Sequence, residues 1–259
     1  MREFVVAKME IEETAVTIAA ERNYLEAAVD AVKSARAEIE RQIRRDDFFL
    51  TTMEPYDAPG DCSRVIKRMC DAAKMTRVGP MATVAGTIAQ EAMEAMTAQG
   101  LTHGWVDNGG DVALMLESPV TLEVFTDPSS GTTFALELEP TDGIIGICSS
   151  SGRIGHSISF GNADVALAVA DSAILADALA TAIGNRVANK DSLRTCFDPF
   201  KGLVGFFGGL AMIEGAVSMN GRLPRLVEVE HNADRLTSHS KMSSPRFTGP
   251  YSQCSEVRT

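Results

Sequence analysis

The sequence predicts a soluble globular chain that combines α-helices with β-strands, and three observations carry that prediction. Leu25, Val29, Val32, Ile39 and Ile43 recur at three-, four- and seven-residue intervals among Lys, Arg and Glu, the period of an amphipathic helix. Trp105-Val-Asp-Asn-Gly-Gly-Asp-Val-Ala-Leu114 reads as strand, tight turn, strand, because Asn-Gly supplies the positive φ angles of a two-residue hairpin turn. Ala163-Asp-Val-Ala-Leu-Ala-Val-Ala170 is a short apolar run of the buried-strand type.

The elements follow in chain order. Val16 to Ala19 is strand-like, and the amphipathic helix that begins near Leu25 ends before Asp46-Asp47-Phe48-Phe49. A second helix is expected over Cys62 to Met75. A third opens at Gly79-Pro80, since a proline suits the first helical turn, where its missing N–H has no partner, and it runs on through Met93 and Met96. Ala82, Ala85, Gly86 and Ala89 leave room along that helix for a close neighbour. The neighbour is either another element of the fold or an anionic ligand facing the free N–H groups around Met81 to Thr83.

Strands are expected at Val120 to Phe125 and Thr133 to Leu138, joined by the turn Asp127 to Gly131. Gly146 to Gly161 reads as a loop of glycine and small hydroxylated residues. Ser172 to Ile183 reads as a helix with Ile174, Leu175, Ala178, Leu179, Ala182 and Ile183 on its inner face, ended by Gly184-Asn185. Late strands suit Gly202 to Ile213 and Arg225 to Glu230, and from His231 the chain is polar and Ser-rich without apolar period, the pattern of a disordered tail.

Composition narrows the function. The chain has 259 residues, 45% apolar and 23% charged, enough for a sizeable core. A formal charge of −11 argues against nucleic acid and against an anionic membrane surface as partners, since both would be repelled. An anionic ligand would need a local device: a helix N-terminus, a nest of N–H groups or a bound cation. The five cysteines are scattered without a C-x-x-C pair, no run reaches membrane-spanning length, and no secretory leader is evident, so a reduced, cytoplasmic location is expected.

Asp177 and Thr181 stand four apart on a helix and can face one small object. A carboxylate and a hydroxyl are hard oxygen donors, suited to Mg²⁺ or Ca²⁺, with phosphate, water or backbone oxygens completing the shell; the plainer reading is a solvated helix face. Ser149-Ser150-Ser151-Gly152 can bind phosphate through hydroxyls and successive N–H groups, although the Lys of a P-loop is missing. Asp107 and Asp111 flank the hairpin turn, either as ligands or as ordinary turn residues. His156 is a candidate base or a structural histidine, and Cys148 beside it leaves a Cys148–His156 nucleophile pair as an alternative.

Taken together, Val78-Gly-Pro-Met-Ala-Thr-Val-Ala-Gly86, Asp107-Asn-Gly-Gly-Asp-Val112, Ile147-Cys-Ser-Ser-Ser-Gly152, Gly155-His-Ser-Ile-Ser-Phe-Gly161 and Ala176-Asp-Ala-Leu-Ala-Thr-Ala-Ile-Gly-Asn185 resemble the signature blocks of the UPF0280 family, within the ApbE-like superfamily. The resemblance covers about Glu12 to Glu230. It implies an α+β fold of T-fold type, two-layered, with helices packed on antiparallel sheet and FAD in a cleft, and residues 1–230 as one domain before a tail at 231–259. The best-known superfamily members are Mg²⁺-dependent flavin transferases that split FAD and attach FMN to a Thr or Ser of an acceptor protein.

By this resemblance Asn108, Gly109, Gly110 and Asp111, with Ser149, Ser150, Ser151 and Gly152, line the flavin cleft; Asp177 and Thr181 match the metal ligands; and His156 corresponds to the catalytic histidine. The chain departs from the transferase pattern after His156, where it reads Ser-Ile-Ser-Phe-Gly-Asn-Ala-Asp, and in Ala85-Gly86 where a Lys-Gly is expected. Two functions follow as expectations. One is a Mg²⁺-dependent FAD:protein FMN transferase or FAD pyrophosphatase; the other is a flavin- or nucleotide-binding accessory protein without transferase chemistry, in anaerobic sulfur assimilation or homocysteine synthesis.

Overall fold

The computed structural model describes residues 3–12, 14–126, 133–151 and 161–229, together with two short strands at 247–248 and 256–258. The chain opens with a hairpin of β1 (Phe4–Ile11) and β2 (Thr14–Glu21). Only β2 stands out in the sequence. In β1 the charged Lys8 and Glu10 alternate with buried Val5, Ala7 and Met9, a period of two that marks a strand with one wet face.

Three helices follow, with one short turn of helix among them. In α1 (Leu25–Arg45) Ala28, Val32, Ala35 and Ile39 form the buried stripe that the spacing predicts. A short α2 (Phe48–Thr51) leads to α3 (Arg64–Thr76), capped by the Ser63 side chain, which accepts the Ile66 N–H. Pro80–Thr83 forms a 3-10 turn before α4 (Val84–Ala98), so the true α-helix starts four residues after the proline.

The remainder comprises β3 (Gly104–Asn108), β4 (Asp111–Met115), β5 (Val120–Thr126), β6 (Thr133–Leu138), β7 (Ile145–Ser150), β8 (Val165–Ala170), α5 (Ala173–Asn185), β9 (Phe206–Ile213), β10 (Ala216–Gly221) and β11 (Arg225–Val229). Past residue 229 come β12 (Phe247–Thr248) and β13 (Glu256–Arg258). The rest of the tail expected at 231–259, and the turn expected at Asp127 to Gly131, lie outside the described residues.

Nine strands form one sheet in the order β10-β9-β8-β7-β4-β3-β2-β1-β13, antiparallel throughout except for the β1–β13 pair. A second, antiparallel sheet has the order β11-β6-β5-β12. The helices cover one face of the large sheet, on Ile18, Val106, Ala113 and Ala168; the small sheet covers the other, where Leu122 and Leu136 meet Leu114, Ile147 and Val169. The α+β class and the antiparallel sheets are as expected, but there are three layers rather than two. The physical reason lies in strands such as β8, buried at every position, which present apolar side chains on both faces and need a cover on each. Neither sheet closes into a barrel among the described residues.

Four local expectations change. Ser149 and Ser150 belong to strand β7 rather than to a loop, because Cys148, Ser149 and Ser150 pair with Ala168, Leu167 and Ala166 of β8. The hairpin turn is Gly109-Gly110, at φ 69° and 107°, while Asn108 is the last strand residue, paired with Asp111. Helix α5 has no outer face: every residue from Ala173 to Gly184 is buried, since the helix packs on α3 and α4 as well as on β7 and β8. Gly184 is not its C-cap, and the helix continues to Asn185. Among the described residues no helix is long and apolar enough to cross a membrane.

Candidate functional site

The site begins with glycines that let three elements approach. A Cβ at Gly86 would lie 2.2 Å from the Ala173 carbonyl oxygen and 2.7 Å from the Asp177 Cβ, so α4 and α5 touch backbone to backbone. A Cβ at Gly146 would lie 2.4 Å from the Ala173 Cα, which brings β7 equally close to α5. The small-residue run on α4 therefore receives a helix of the same chain, the first of the two neighbours that the sequence allows.

This packing delivers Asp177 to the N-terminus of α4. Gly86 N–H donates to Asp177 Oδ2 at 2.8 Å, and the Ala85 N–H also acts on the carboxylate. Thr83, at the N-cap position, makes no side-chain cap. Asp177 supplies the missing acceptor from another helix, where the helix dipole favours negative charge. The N–H groups engaged here are those of Ala85 and Gly86, just beyond the Met81 to Thr83 stretch where the sequence leaves an anionic ligand open as one of two alternatives, and their acceptor is the protein's own carboxyl group.

The β3–β4 hairpin brings the second carboxylate. Asn108 Nδ2 donates to the Ala85 carbonyl at 3.2 Å, tying the end of β3 to the same helix start. By strand alternation Asp111 shares the helix-facing side with Ala113, as Ser150 does with Cys148. Asp107 lies on the opposite face with Trp105, and its Oδ1 accepts the Gly110 N–H at 2.9 Å. Asp107 and Asp111 are thus separated by the sheet, although both are buried. The turn sits beside β7: a Cβ at Gly110 would meet Ser149 Oγ at 3.4 Å.

Burial and mutual repulsion dominate the electrostatics. Burial pushes Asp177 well up from the ordinary carboxylate range, Asp111 pushes it further, and the Gly86 and Ala85 N–H groups oppose the rise. Asp111 is pushed up to about 7 by burial, against the Cys148 thiol, with Asp107 adding to the rise and the Ser149 N–H opposing it. Burial likewise pushes Asp107 up to about 7, opposed by the Gly110 N–H. Asp111 Oδ1 and Ser150 Oγ are buried with no hydrogen-bond partner among the described residues. Unpaired buried oxygens of this kind are costly.

Both carboxylates act on Cys148, whose Sγ donates to the Ala173 carbonyl at 3.4 Å. Burial and then Asp111 and Asp177 push its thiol well up, the reverse of the lowering that a nucleophilic cysteine requires. Thr181 lies one turn beyond Asp177 on α5 and is buried. Ser151 follows directly on β7. Gly152 and His156 lie outside the described residues. At Gly161 a Cβ would meet the Gly184 carbonyl at 1.8 Å, so this glycine packs on the end of α5.

On the helix side Asp111 acts on Asp177; buried Ser150 shares the strand face of Cys148 and buried Thr181 stands one turn along α5 from Asp177, and all four offer hard oxygens. Among the described residues no group of three or more His, Cys, Asp or Glu is arranged to hold a metal. Sequence reasoning missed Gln90, whose Oε1 accepts the first N–H of α5, from Ala173, at 2.8 Å and whose Nε2 donates to Glu94 Oε1 at 3.0 Å. Its signal is a buried amide in an Ala- and Met-rich helix, where a polar side chain needs a partner.

The family model described as AbpE bacteria matches residues 3–196. A UPF0280 protein of Methanocella arvoryzae is 42% identical over 231 residues, covering 89% of this chain and 94% of its own. One of Archaeoglobus fulgidus is 41% identical over 242 residues, covering 92% and 99%. Among solved structures, the ApbE protein of Thermotoga maritima superposes with a TM-score of 0.62 at 14% identity, over 85% of this chain and 97% of that one. The flavin transferase ApbE of Vibrio cholerae does so with a TM-score of 0.57 at 12% identity, over 84% and 96%. At these identities the structural likeness establishes the fold.

Proposed function

This chain belongs to the UPF0280 family, and from that premise, with its ApbE fold, we propose that it binds FAD in the cytoplasm and cleaves it with the help of Mg²⁺. The observation that carries the proposal is the buried pair Asp111 and Asp177, each raising the need for a countercharge, with Asp111 Oδ1 unpartnered among the described residues. Two interacting carboxylates in a low-dielectric site are relieved by a divalent cation. Hard oxygen donors, too few for an all-protein shell, fit Mg²⁺ that keeps water and phosphate ligands.

Asp177 and Thr181 would hold the ion, with Asp111 beside it. Mg²⁺ supplies charge neutralisation at a diphosphate, the main requirement of phosphoryl transfer. The Gly109-Gly110 turn, with Asn108 and Asp111, offers backbone close to the nucleotide, and Ser149, Ser150, Ser151 and Gly152 offer hydroxyl and N–H donors to its phosphates. His156 takes the proton from the attacking hydroxyl as the new P–O bond forms and AMP leaves. With water as nucleophile the products are FMN and AMP; with a Thr or Ser of an acceptor protein, FMN becomes attached to that protein. Residues 1–230 form the single T-fold-type domain of this reading.

A second reading is favoured by two features: Ala85-Gly86 stands where the transferase pattern has Lys-Gly, and Ser157-Ile158-Ser159-Phe160 follows His156. It is a flavin- or nucleotide-binding accessory protein, serving anaerobic sulfur assimilation or homocysteine synthesis, that holds FAD intact. Incubation of the purified chain with FAD and Mg²⁺, followed by mass analysis, separates the two. FMN and AMP support cleavage, bound and intact FAD supports the accessory role, and failure to bind FAD overturns both.

A further inference from the structure

Helices α4 and α5 cap one another. The Gly86 N–H, in the first turn of α4, donates to the Asp177 carboxylate of α5 at 2.8 Å. Four residues further along α4, the Gln90 side-chain carbonyl accepts the Ala173 N–H, the first of α5, at 2.8 Å. Ala173 stands four residues before Asp177, so the two bonds are rungs one turn apart between antiparallel helices. Each rung serves an N–H that its own helix leaves without a partner.

The demand is sharpest at Ala173. This residue is fully buried, and the N-cap Ser172 gives its hydroxyl to the Leu175 N–H. Gln90, itself buried, supplies the acceptor that the Ala173 N–H needs. Its amide is held one way round: Nε2 donates to Glu94 Oε1 at 3.0 Å, and reversal would set N–H against N–H and carbonyl against carboxylate. Glu94 is fixed in turn from α3, by Arg68, which donates to its two oxygens at 2.6 and 3.0 Å, and by Arg64. Burial opposes its ionisation, yet the bonds from Arg68, Gln90 and Arg64 hold it below the ordinary carboxylate range, so it remains an acceptor.

Ala173 is also where three elements meet most closely, since Cβ atoms added at Gly86 or Gly146 would both strike its backbone. Small side chains at such a contact raise few ridges against sliding, and a slip of one helical rise, about 1.5 Å, would carry Asp177 off the Gly86 N–H. A directional hydrogen bond at the first residue of α5 opposes that slip. We propose that Gln90 is a positioning residue for Asp177: by holding the first N–H of α5 it sets the register of α5 on α4 and keeps the Asp177 carboxylate where, on the reading above, it meets Mg²⁺. The metal half rests on that reading, the register on the two rungs alone.

Gln90→Met, close in volume, removes the acceptor, and Gln90→Glu keeps one. Amide exchange followed by NMR reads the register, with Val169 in the middle of β8 as the reference for global opening. In Gln90→Met the Gly86 amide should exchange at least about tenfold faster relative to Val169, as a rung lost from a buried N–H implies. The Mg²⁺ concentration for half-saturation in the presence of FAD, followed by flavin fluorescence, should rise by about tenfold. Gln90→Glu should reverse most of both changes. Should Gln90→Met fail to fold, Glu94→Leu, which leaves the Gln90 amide unoriented, should move both readings the same way. Unchanged relative exchange at Gly86 overturns the proposal whatever the ion does. So does a loosened Gly86 that Gln90→Glu fails to restore, or one that leaves Mg²⁺ half-saturation where it was. A wild type on which Mg²⁺ has no effect ends the metal reading instead, and exchange at Gly86 then decides for or against Gln90 by itself.

Discussion

Asp177 caps a helix to which it does not belong: its Oδ2 accepts the Gly86 N–H at 2.8 Å, across 91 residues of sequence. The carboxylate proposed as a metal ligand is also a structural cap, and the two roles separate by substitution. Asp177→Asn keeps a carbonyl oxygen for the Gly86 N–H and removes the charge, so the fold should persist while Mg²⁺-dependent binding or cleavage of FAD is lost. Asp177→Ala also removes the cap and should cost a further ~1–2 kcal/mol in a urea unfolding titration. Equal activity of Asp177→Asn and wild type would remove Asp177 from the metal site.

The buried carboxylates make stability depend on pH in an unusual direction. Asp107 and Asp111 are raised to about 7 in the fold but ionise near their ordinary values when unfolded. Between about pH 4 and pH 7 the folded chain binds more protons than the unfolded one, so stability falls as pH rises, by at most roughly 1.4 kcal/mol per pH unit for each group, and levels off above. Mg²⁺ should flatten that slope if it pairs with ionised Asp111. Thermal melts from pH 4 to 8, with and without the ion, check both statements; a melting temperature that rises from pH 5 to 7 without Mg²⁺ would contradict them.

Contact between α4 and α5 depends on Gly86. Gly86→Ala places a methyl group within 2.2 Å of the Ala173 carbonyl and should destabilise the chain by about 1–3 kcal/mol, moving Asp177 off its cap. Gly143→Ala, where nothing lies within 4 Å, should stay within ~0.5 kcal/mol of wild type. Denaturant midpoints of the pair supply the comparison.

Cys148 should behave as a buried thiol, not as a nucleophile. Native alkylation should reach the partly exposed Cys62 well before buried Cys148, which reacts only on unfolding. Cys148→Ala should retain FAD binding and any cleavage. Loss of function in Cys148→Ala with the fold intact would restore thiol chemistry as the better account.

Periodicity made several elements legible. The buried stripe of α1, the hairpin around Gly109-Gly110 and the apolar strand β8 appear where their local patterns place them. Strand β1 does not stand out because Lys8 and Glu10 mask its alternation, nor does β10, because its Ser and Asn break an apolar run. The serines of β7 resembled a loop because small hydroxylated residues are common in turns; pairing with β8 overrides that preference. At the site, spacing placed Asp177 and Thr181 on one side of a helix, but it carried no sign that Asp111, from a hairpin far upstream, would act on Asp177.

By itself the sequence determined the helices and strands with clear periods, the net negative charge, and, through its ordered blocks, membership of the family. Tertiary structure alone decided that the sheet is covered on both faces, that Asp107 and Asp111 stand on opposite sides of it, and that Asp177 serves the N-terminus of α4. The reason is physical: period and turn chemistry act between near neighbours in the chain, whereas burial, charge repulsion and helix capping depend on which distant segments the packing brings within a few ångströms.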